Sequence, residues 1–341
     1  MKIAVYGASG HTARFVLAEI LRRGHTPIAI GRDASKLTAT VALLDADIET
    51  RVASLDSPEA LDRALSGAAA IVHGAGPFLD TAQPVIEAAL RAGIHYFDLT
   101  AEQGSALATF ETFDGPARER GVCVVPAAGF YGGLSDLLAT YAMSGWAQAD
   151  AIDIAIALDR WWPTRGTRET GARNTAARLV LTGGALEPIK PSTPPPWVFA
   201  EPFGAQDVVE LPFTETILIA RHLQVRDIVS YLNEAPLRDL RNAATPQPVA
   251  ADEHGRSAQR FLVDVIVQNG DQQRRVTAGG RDIYAITAPI VVQAVERVCG
   301  APQRSGGAYA LGQLVDASDF LQGLELTLTR EVHEASTPAR G

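Results

Sequence analysis

The stretch Lys2-Ile3-Ala4-Val5-Tyr6-Gly7-Ala8-Ser9-Gly10-His11-Thr12-Ala13 decides the fold. A short apolar strand runs into two glycines three positions apart. The residues after Gly10 open a helix in which Ala13, Val16, Leu17, Ile20 and Leu21 share one face until Gly24 stops it. Glycines at 7 and 10 make the turn tight and leave its backbone open to an anion. The N–H groups and dipole of the first helical turn can then hold a diphosphate. Gly7, Ser9, Gly10, His11 and Thr12 are therefore the candidate diphosphate-binding residues, and the small Ala13 allows close packing of helix on strand. Gly-x-x-Gly-x-x-Ala is a common string; its position between the first strand and first helix gives it meaning.

Outward from this turn the pattern repeats. Apolar strands are expected at 27–30, 49–55, 69–73, 95–99 and 122–126, separated by helices at 35–44, from Ser57-Pro58-Glu59 onward, at 83–91 and at 110–120. Strands that are apolar throughout and alternate with helices imply a parallel sheet covered on both faces, wound right-handed on each side. Residues 1–130 are thus expected to form a Rossmann domain, an α/β doubly wound parallel sheet.

The second strand ends in Gly31-Arg32-Asp33-Ala34-Ser35-Lys36. Where an NAD site carries an acidic residue for the ribose, this chain has Gly31, followed by the planar fork of Arg32. Arg32 and Ser35 are expected to read a 2′-phosphate, making the cofactor NADP; Asp33 is the competing ribose contact. The fourth strand ends in His73-Gly74-Ala75-Gly76-Pro77-Phe78, and Gly74, Ala75, Gly76 and Pro77 are expected along the cofactor toward its nicotinamide. His73 reads as a packed strand-end histidine. Asp98, Thr100 and Glu102, after the fifth strand, either face a ligand or cap a helix.

Beyond Gly129 the character changes to α+β. A helix is expected at 134–143, a half-buried strand at 151–158, a helix at 170–181 and a proline-rich extended loop at 187–212. Residues 261–268, Asn269-Gly270 and 271–278 read as a hairpin. Residues 131–285 are expected to be a second α+β domain with a mainly antiparallel sheet, serving substrate binding or dimerisation. Helices are expected at 288–298 and 314–321.

Composition narrows the function classes. The 341 residues are 47% hydrophobic and 20% charged, with a net charge of −9, which fits a folded protein and opposes a nucleic-acid partner. No apolar run is long enough to span a bilayer, and the N-terminus lacks a signal-peptide layout, so a cytoplasmic location without a membrane partner is expected. The only lysines are Lys2, Lys36 and Lys190. Tyr-x-x-x-Lys, His-Glu-x-x-His, Gly-x-Ser-x-Gly and Cys-x-x-Cys are all absent. Cys123 and Cys299 have no metal-ligand spacing, and no metal is expected.

Several segments together resemble the saccharopine dehydrogenase-like (saccharopine reductase-like) NADP-binding oxidoreductase family. They are Gly7-Ala8-Ser9-Gly10 with Gly31-Arg32, then Gly76-Pro77-Phe78, and the run from Gln83 through Gly93-Ile94-His95-Tyr96-Phe97-Asp98 to Glu102. Gly129-Phe130-Tyr131-Gly132-Gly133-Leu134-Ser135-Asp136-Leu137 is similar to the family's Gly-Phe-Asp-Ser-x-Pro-x-Asp-Leu. It matches at Gly129, Phe130, Ser135, Asp136 and Leu137 and departs at Tyr131, Gly132 and Gly133. The resemblance covers the first 140 residues and fades afterwards. It implies a Rossmann domain, a second α/β domain, late helices in residues 286–330 returning to the first domain, and NADP(H)-dependent hydride transfer to or from a small C=N, C=O or C=C substrate. It does not imply saccharopine as that substrate.

Nicotinamide is expected between the Gly74–Phe78 strand end and the Gly129–Asp136 crossover, with Tyr131 and Asp136 as the catalytic candidates. Arg168, Arg173 and Asn174 are candidates for a carboxylate clamp, while Trp161-Trp162-Pro163 and Trp197 point to an apolar pocket. The competing expectation is an NADP(H)-binding sensor or scaffold without turnover, since a fold does not fix a function. The partners expected are a small molecule and a second copy of the chain in a homodimer.

Overall fold

The computed structural model describes residues 1–301 and 305–334. Its first domain runs β1 (Lys2–Tyr6), α1 (His11–Arg22), β2 (Thr26–Gly31), α2 (Ala34–Ala42), β3 (Glu49–Val52), α3 (Pro58–Leu65), β4 (Ala70–His73), α4 (Phe78–Ala92), β5 (His95–Asp98), α5 (Gln103–Arg120) and β6 (Cys123–Val125). These six strands, with Gly307–Ala308, form a seven-stranded sheet in which every pairing is parallel. Strand order reverses between β1 and β4, so the Gly7 turn opens at the switch point where ligands bind such sheets.

The remaining elements are α6 (Ser135–Ala142), β7 (Ala149–Leu158), α7 (Arg165–Arg173), β8 (Leu179–Thr182), β9 (Ala185–Pro188), β10 (Trp197–Val198), β11 (Ala205–Gln206), β12 (Val208–Glu210), α8 (Glu215–His222), β13 (Val225–Asn233), α9 (Ala235–Arg241), β14 (Arg260–Asn269), β15 (Gln272–Arg281), α10 (Ile283–Cys299), β16 (Gly307–Ala308), α11 (Ala317–Gln322) and β17 (Thr327–Glu334). The second sheet has the order β17-β15-β14-β7-β13-β8-β9, with β12 pairing β13. It is antiparallel except where β7 meets β13. That parallel pair requires a long crossover, which residues 159–224 provide.

The last segment is shared. Helix α10 packs along α1, and β16 adds to the first sheet through β6, whereas β17 adds to the second sheet through β15. Arg22 and Arg23 both bind Glu19, and Arg23 and His25 reach Glu296 on α10 at 2.6 and 2.9 Å. Burial pushes the Glu19 carboxyl up, but the two arginines outweigh it and hold it below the usual range. Of the span 286–330, residues 302–304 lie outside the described residues.

Three local expectations need correction. The helix expected at 170–181 is α7, which begins at Arg165 and ends at Arg173; Leu179–Thr182 is a strand, paired with β9 and β13. Thr164 starts that helix, its Oγ1 accepting from Thr167 N at 3.1 Å. The hairpin pairs Asn269 with Gln272, so its loop is Gly270-Asp271, one residue later than Asn269-Gly270. Gly270 takes the left-handed φ of +56° that this position needs. The helix expected at 314–321 begins later, as α11 at Ala317, and a separate turn at Leu311–Gln313 precedes it.

Candidate active site

The floor of the site is backbone. Gly7 and Ala8 donate to the Ile30 carbonyl at 2.9 and 3.0 Å, which locks the turn onto β2. No side chain caps α1 at Gly10, so its N-terminus stays open. A Cβ on Gly7, at φ +78°, would lie 2.6 Å from Ala75 Cβ, so the β1 and β4 turns touch. Farther along, a Cβ on Gly74 would meet one methyl of Leu99, and a Cβ on Gly129 the other, at 3.7 and 3.6 Å. The Gly74–Pro77 turn and the Gly129 crossover therefore flank one side chain.

Arg32 is exposed and makes no hydrogen bond or ion pair within the described residues, leaving its fork free for a phosphate. Ser35 is exposed in the first turn of α2 beside it. Asp33 is occupied instead as the cap of α2, accepting from Lys36 N at 3.1 Å. With the acidic side chain committed and the guanidinium free, these residues fit NADP. Ser9 is exposed and Thr12 partly exposed on the open turn.

His11 contributes its backbone to that turn, but its ring turns away to pack edge-on against Phe15 and Tyr284, with centroids 5.3 and 5.4 Å away. Its Nε2 is buried and has no partner. Burial lowers its pKa despite Asp282, so the ring is neutral at pH 7. His73 is fully buried beneath Tyr6, Phe78 and Tyr96, with Nε2 3.0 Å from Thr81 Oγ1. Burial drives its pKa to about 3, which removes it as an acid near neutrality.

The acidic end of β5 braces the floor. Asp98 accepts from Tyr96 Oη, Thr100 N and Ala127 N at 2.9, 3.0 and 2.8 Å, and burial raises its carboxyl to about 6 against those bonds. Glu102 accepts from Phe78 N and Leu79 N at 2.7 and 3.1 Å. It therefore caps α4, an earlier helix, rather than the one that follows it in sequence, and fixes the Gly76-Pro77 turn.

The roof is helix α7, which buries none of its residues and is held by polar contacts. Thr170 lies over Gly76, where a Cβ would meet its Oγ1 at 2.7 Å. Arg173 pairs with Asp80 at 2.6 Å, and Arg168 donates to the carbonyls of Leu240, Asn242 and Thr245. Both arginines are thus engaged within the protein, and Asn174 follows the helix as its C-cap. The roof is latched by Tyr284, near the start of α10. Its hydroxyl bonds Trp161 Nε1, Thr164 N and Thr167 Oγ1 at 3.1, 3.3 and 3.0 Å. Asp282 caps α10 from the left-handed φ of +55°, accepting from Tyr284 N and Ala285 N.

The two catalytic candidates are separated. Tyr131 stands in the distorted turn Phe130–Leu134, against Phe130, Phe213 and Trp161 with ring centroids 4.9, 4.2 and 5.8 Å away. Its hydroxyl is buried without a partner, and burial raises its pKa well above the usual value. Asp136 is instead bound inside α6, accepting from His222 Nε2 at 2.6 Å and Gly312 N at 2.7 Å. Its two oxygens join α6 to α8 and to the turn before α11, so it has a structural task. Trp161 joins the site, whereas Trp197 donates to Asp264 and packs with Phe199 and Tyr231.

Sequence reasoning passed over Tyr284, Arg178 and Glu215. Only Tyr284 had a usable signal: Asp282 directly precedes an apolar helix, as an N-cap does. Glu215 is fully buried at the start of α8, where its Oε1 accepts from Phe213 N at 2.9 Å.

Residues 3–120 match the family model of the saccharopine dehydrogenase NADP binding domain. The saccharopine dehydrogenase-like oxidoreductase of Bos taurus is 26% identical over 145 residues, covering 38% of this chain and 34% of that protein. The trans-acting enoyl reductase of Mycobacterium tuberculosis is 27% identical over 140 residues, covering 40% and 34%. The match spans about a third of the length of these relatives. Apo histidine-tagged saccharopine dehydrogenase (L-Glu forming) from Saccharomyces cerevisiae has a similar fold, with a TM-score of 0.65 over 97% of this chain and 99% of that one, at 12% identity. No helix among the described residues is long and apolar enough to cross a membrane. Residues 3–120 are thus an NADP-binding domain of the saccharopine dehydrogenase type, and the whole chain has a fold similar to that of saccharopine dehydrogenase.

Proposed function

We propose that this chain is an NADP(H)-dependent oxidoreductase that transfers a hydride to or from a small substrate carrying a C=N, C=O or C=C bond. The observation that carries this reading is the unbroken run from the open α1 N-terminus, past Ala75 and Gly74, to Leu99 and the Gly129 crossover. It ends beside Tyr131, an aromatic-walled phenol with no partner of its own.

Gly7 to Thr12 would hold the diphosphate, Arg32 and Ser35 the 2′-phosphate, and Gly74 to Pro77 the approach to the nicotinamide. Nicotinamide, when bound, supplies or accepts the hydride. The chain's own tasks are to place the substrate against Leu99, to exclude water beneath α7 and to hold a proton at Tyr131 Oη. Asp136 is left out of this assignment because both of its oxygens are occupied.

The test is NADPH oxidation over a panel of enoyl, carbonyl and imine compounds, with Tyr131→Phe measured beside the wild type. General acid–base help is typically worth 10²- to 10⁴-fold. Loss of turnover on that scale with NADPH affinity intact supports the assignment, and a fully active variant removes Tyr131 from the chemistry. NADPH binding with no oxidation anywhere in the panel would favour the sensor.

A further inference from the structure

Beside the crossover, the fold leaves buried polar atoms unused. Tyr131 Oη, Glu215 Oε2 and Ser230 Oγ all lack a full hydrogen-bond partner, and the Ser230 hydroxyl is close enough to Glu215 to act on its carboxyl. Arg178 donates once, to the Pro212 carbonyl at 2.6 Å, and lays its guanidinium 4.9 Å above the Phe213 ring. Tyr131 lies within electrostatic reach of both Glu215 and Arg178. One segment binds the group together. Phe213 packs on the Tyr131 ring, Thr214 Oγ1 donates to the Tyr131 carbonyl at 2.9 Å, and Glu215 follows. Buried polar atoms in folded proteins are nearly all satisfied, so orphans gathered along this one segment call for a ligand atom.

We propose that Tyr131 and Glu215 are paired hydrogen-bond donors to the carbonyl oxygen of a neutral, flat, apolar substrate. The inference rests on the proposed function above and narrows its three bond types to a carbonyl, free or conjugated with C=C. Glu215 can donate because burial raises its carboxyl above the usual range, against the backbone bonds, the Ser230 hydroxyl and the Arg178 charge that lower it. The charged and titratable groups acting on the pair are Arg178 and Tyr284, besides the two members themselves. A phenol beside a neutral carboxylic acid in an apolar site is a known way to hold charge that develops on an oxygen. A cationic iminium would meet two O–H donors and a guanidinium, all of the wrong polarity. The rings of Phe130, Trp161 and Phe213 suit a flat apolar body next to that oxygen.

The experiment uses 4-nitrophenol, whose phenolate oxygen mimics the developing charge and whose absorbance reports its state. Wild-type protein should bind it, and Tyr131→Phe and Glu215→Leu should each weaken binding about tenfold, as for the loss of one strong hydrogen bond. Glu215→Gln keeps an N–H donor and should retain most of the affinity. Comparing wild type with this variant at each pH cancels the ionisation of the probe. Wild-type affinity should then fall relative to the variant as pH rises through the Glu215 pKa. Difference infrared spectra should show a neutral carboxyl band at pH 7 that Glu215→Gln removes. Equal affinities for all four proteins, or no such band, would overturn the proposal. Thermal unfolding identifies a variant that has merely failed to fold, in which case Glu215→Gln and the infrared band decide. NADPH titration separates the two readings. NADPH binding without probe binding defeats the oxygen site alone, while probe discrimination without NADPH binding upholds that site and defeats the cofactor reading.

Discussion

The floor and roof of the candidate site are built on opposite physical principles. The floor is backbone at the ends of β1, β4 and β5, pinned by buried side chains: Asp98 bridges β5 to Ala127, and Glu102 ties it to α4. The roof, α7, buries nothing and is held by hydroxyls, two arginines and the Tyr284 latch. A surface anchored in a parallel sheet cannot move without breaking the core. A helix held by polar bonds exchanges them for water at little cost, so the floor should define the cofactor while the roof opens for substrate.

The largest expected effect tests the floor. Arg32→Ala should weaken NADPH about ten- to a hundredfold and leave NADH nearly unchanged, because charge-assisted bonds to phosphate contribute about 1.5 to 3 kcal/mol. Calorimetric titration with both nucleotides decides it, and an equal loss would place the 2′-phosphate elsewhere.

The latch comes next. Tyr284→Phe leaves Trp161 Nε1, Thr164 N and Thr167 Oγ1 without their shared partner. A destabilisation of about 1 to 3 kcal/mol is expected in denaturant melts. Amide exchange should rise in residues 161–173 and stay unchanged around Gly7. If protection fell equally in both regions, floor and roof would be one cooperative unit.

A smaller effect should come from the pair that secures α6. Burial pushes the His222 pKa down, but the Asp136 carboxylate outweighs it and raises it overall. A raised folded pKa gives stability that is fully present below the unfolded value of about 6.5 and is lost as pH climbs through the folded one. The stability gap between wild type and His222→Gln, on the order of 1 kcal/mol, should therefore be widest in mild acid and narrow upward. A gap that stays constant with pH would mean that the pair does not titrate.

The smallest effect is at the outer edge of the roof. Arg173 and Asp80 are both largely exposed, so Arg173→Ala should cost well under 1 kcal/mol. It should nevertheless speed proteolytic cleavage within 165–178. Unchanged cleavage would show that Thr170 and Tyr284 hold α7 without it.

The floor was legible in the sequence because its signals are local. A turn that needs glycine, a strand apolar throughout and a helix with one apolar face each announce themselves within a few residues. The Gly7–Gly10 turn, the Gly31-Arg32 step and the Gly74–Pro77 strand end are all of this kind. The roof was not legible: α7 has no apolar face, so hydrophobic periodicity placed the helix too late and ran it across the β8 strand. The segment holding Glu215 gave no reading at all, and Asp136, which matched a family pattern, is occupied by His222 from another helix.

The sequence alone determined the parallel sheet, the glycine turn between β1 and α1 and the arginine placed directly after β2. Each follows from backbone geometry or side-chain chemistry at a fixed short spacing. Only the tertiary structure decided that Tyr131 Oη is left unpaired while both Asp136 oxygens are occupied, that Glu102 caps the helix before it, and that Tyr284 latches α7. Those outcomes depend on which distant groups arrive within about 3 Å, and burial sets whether a carboxyl there keeps its proton.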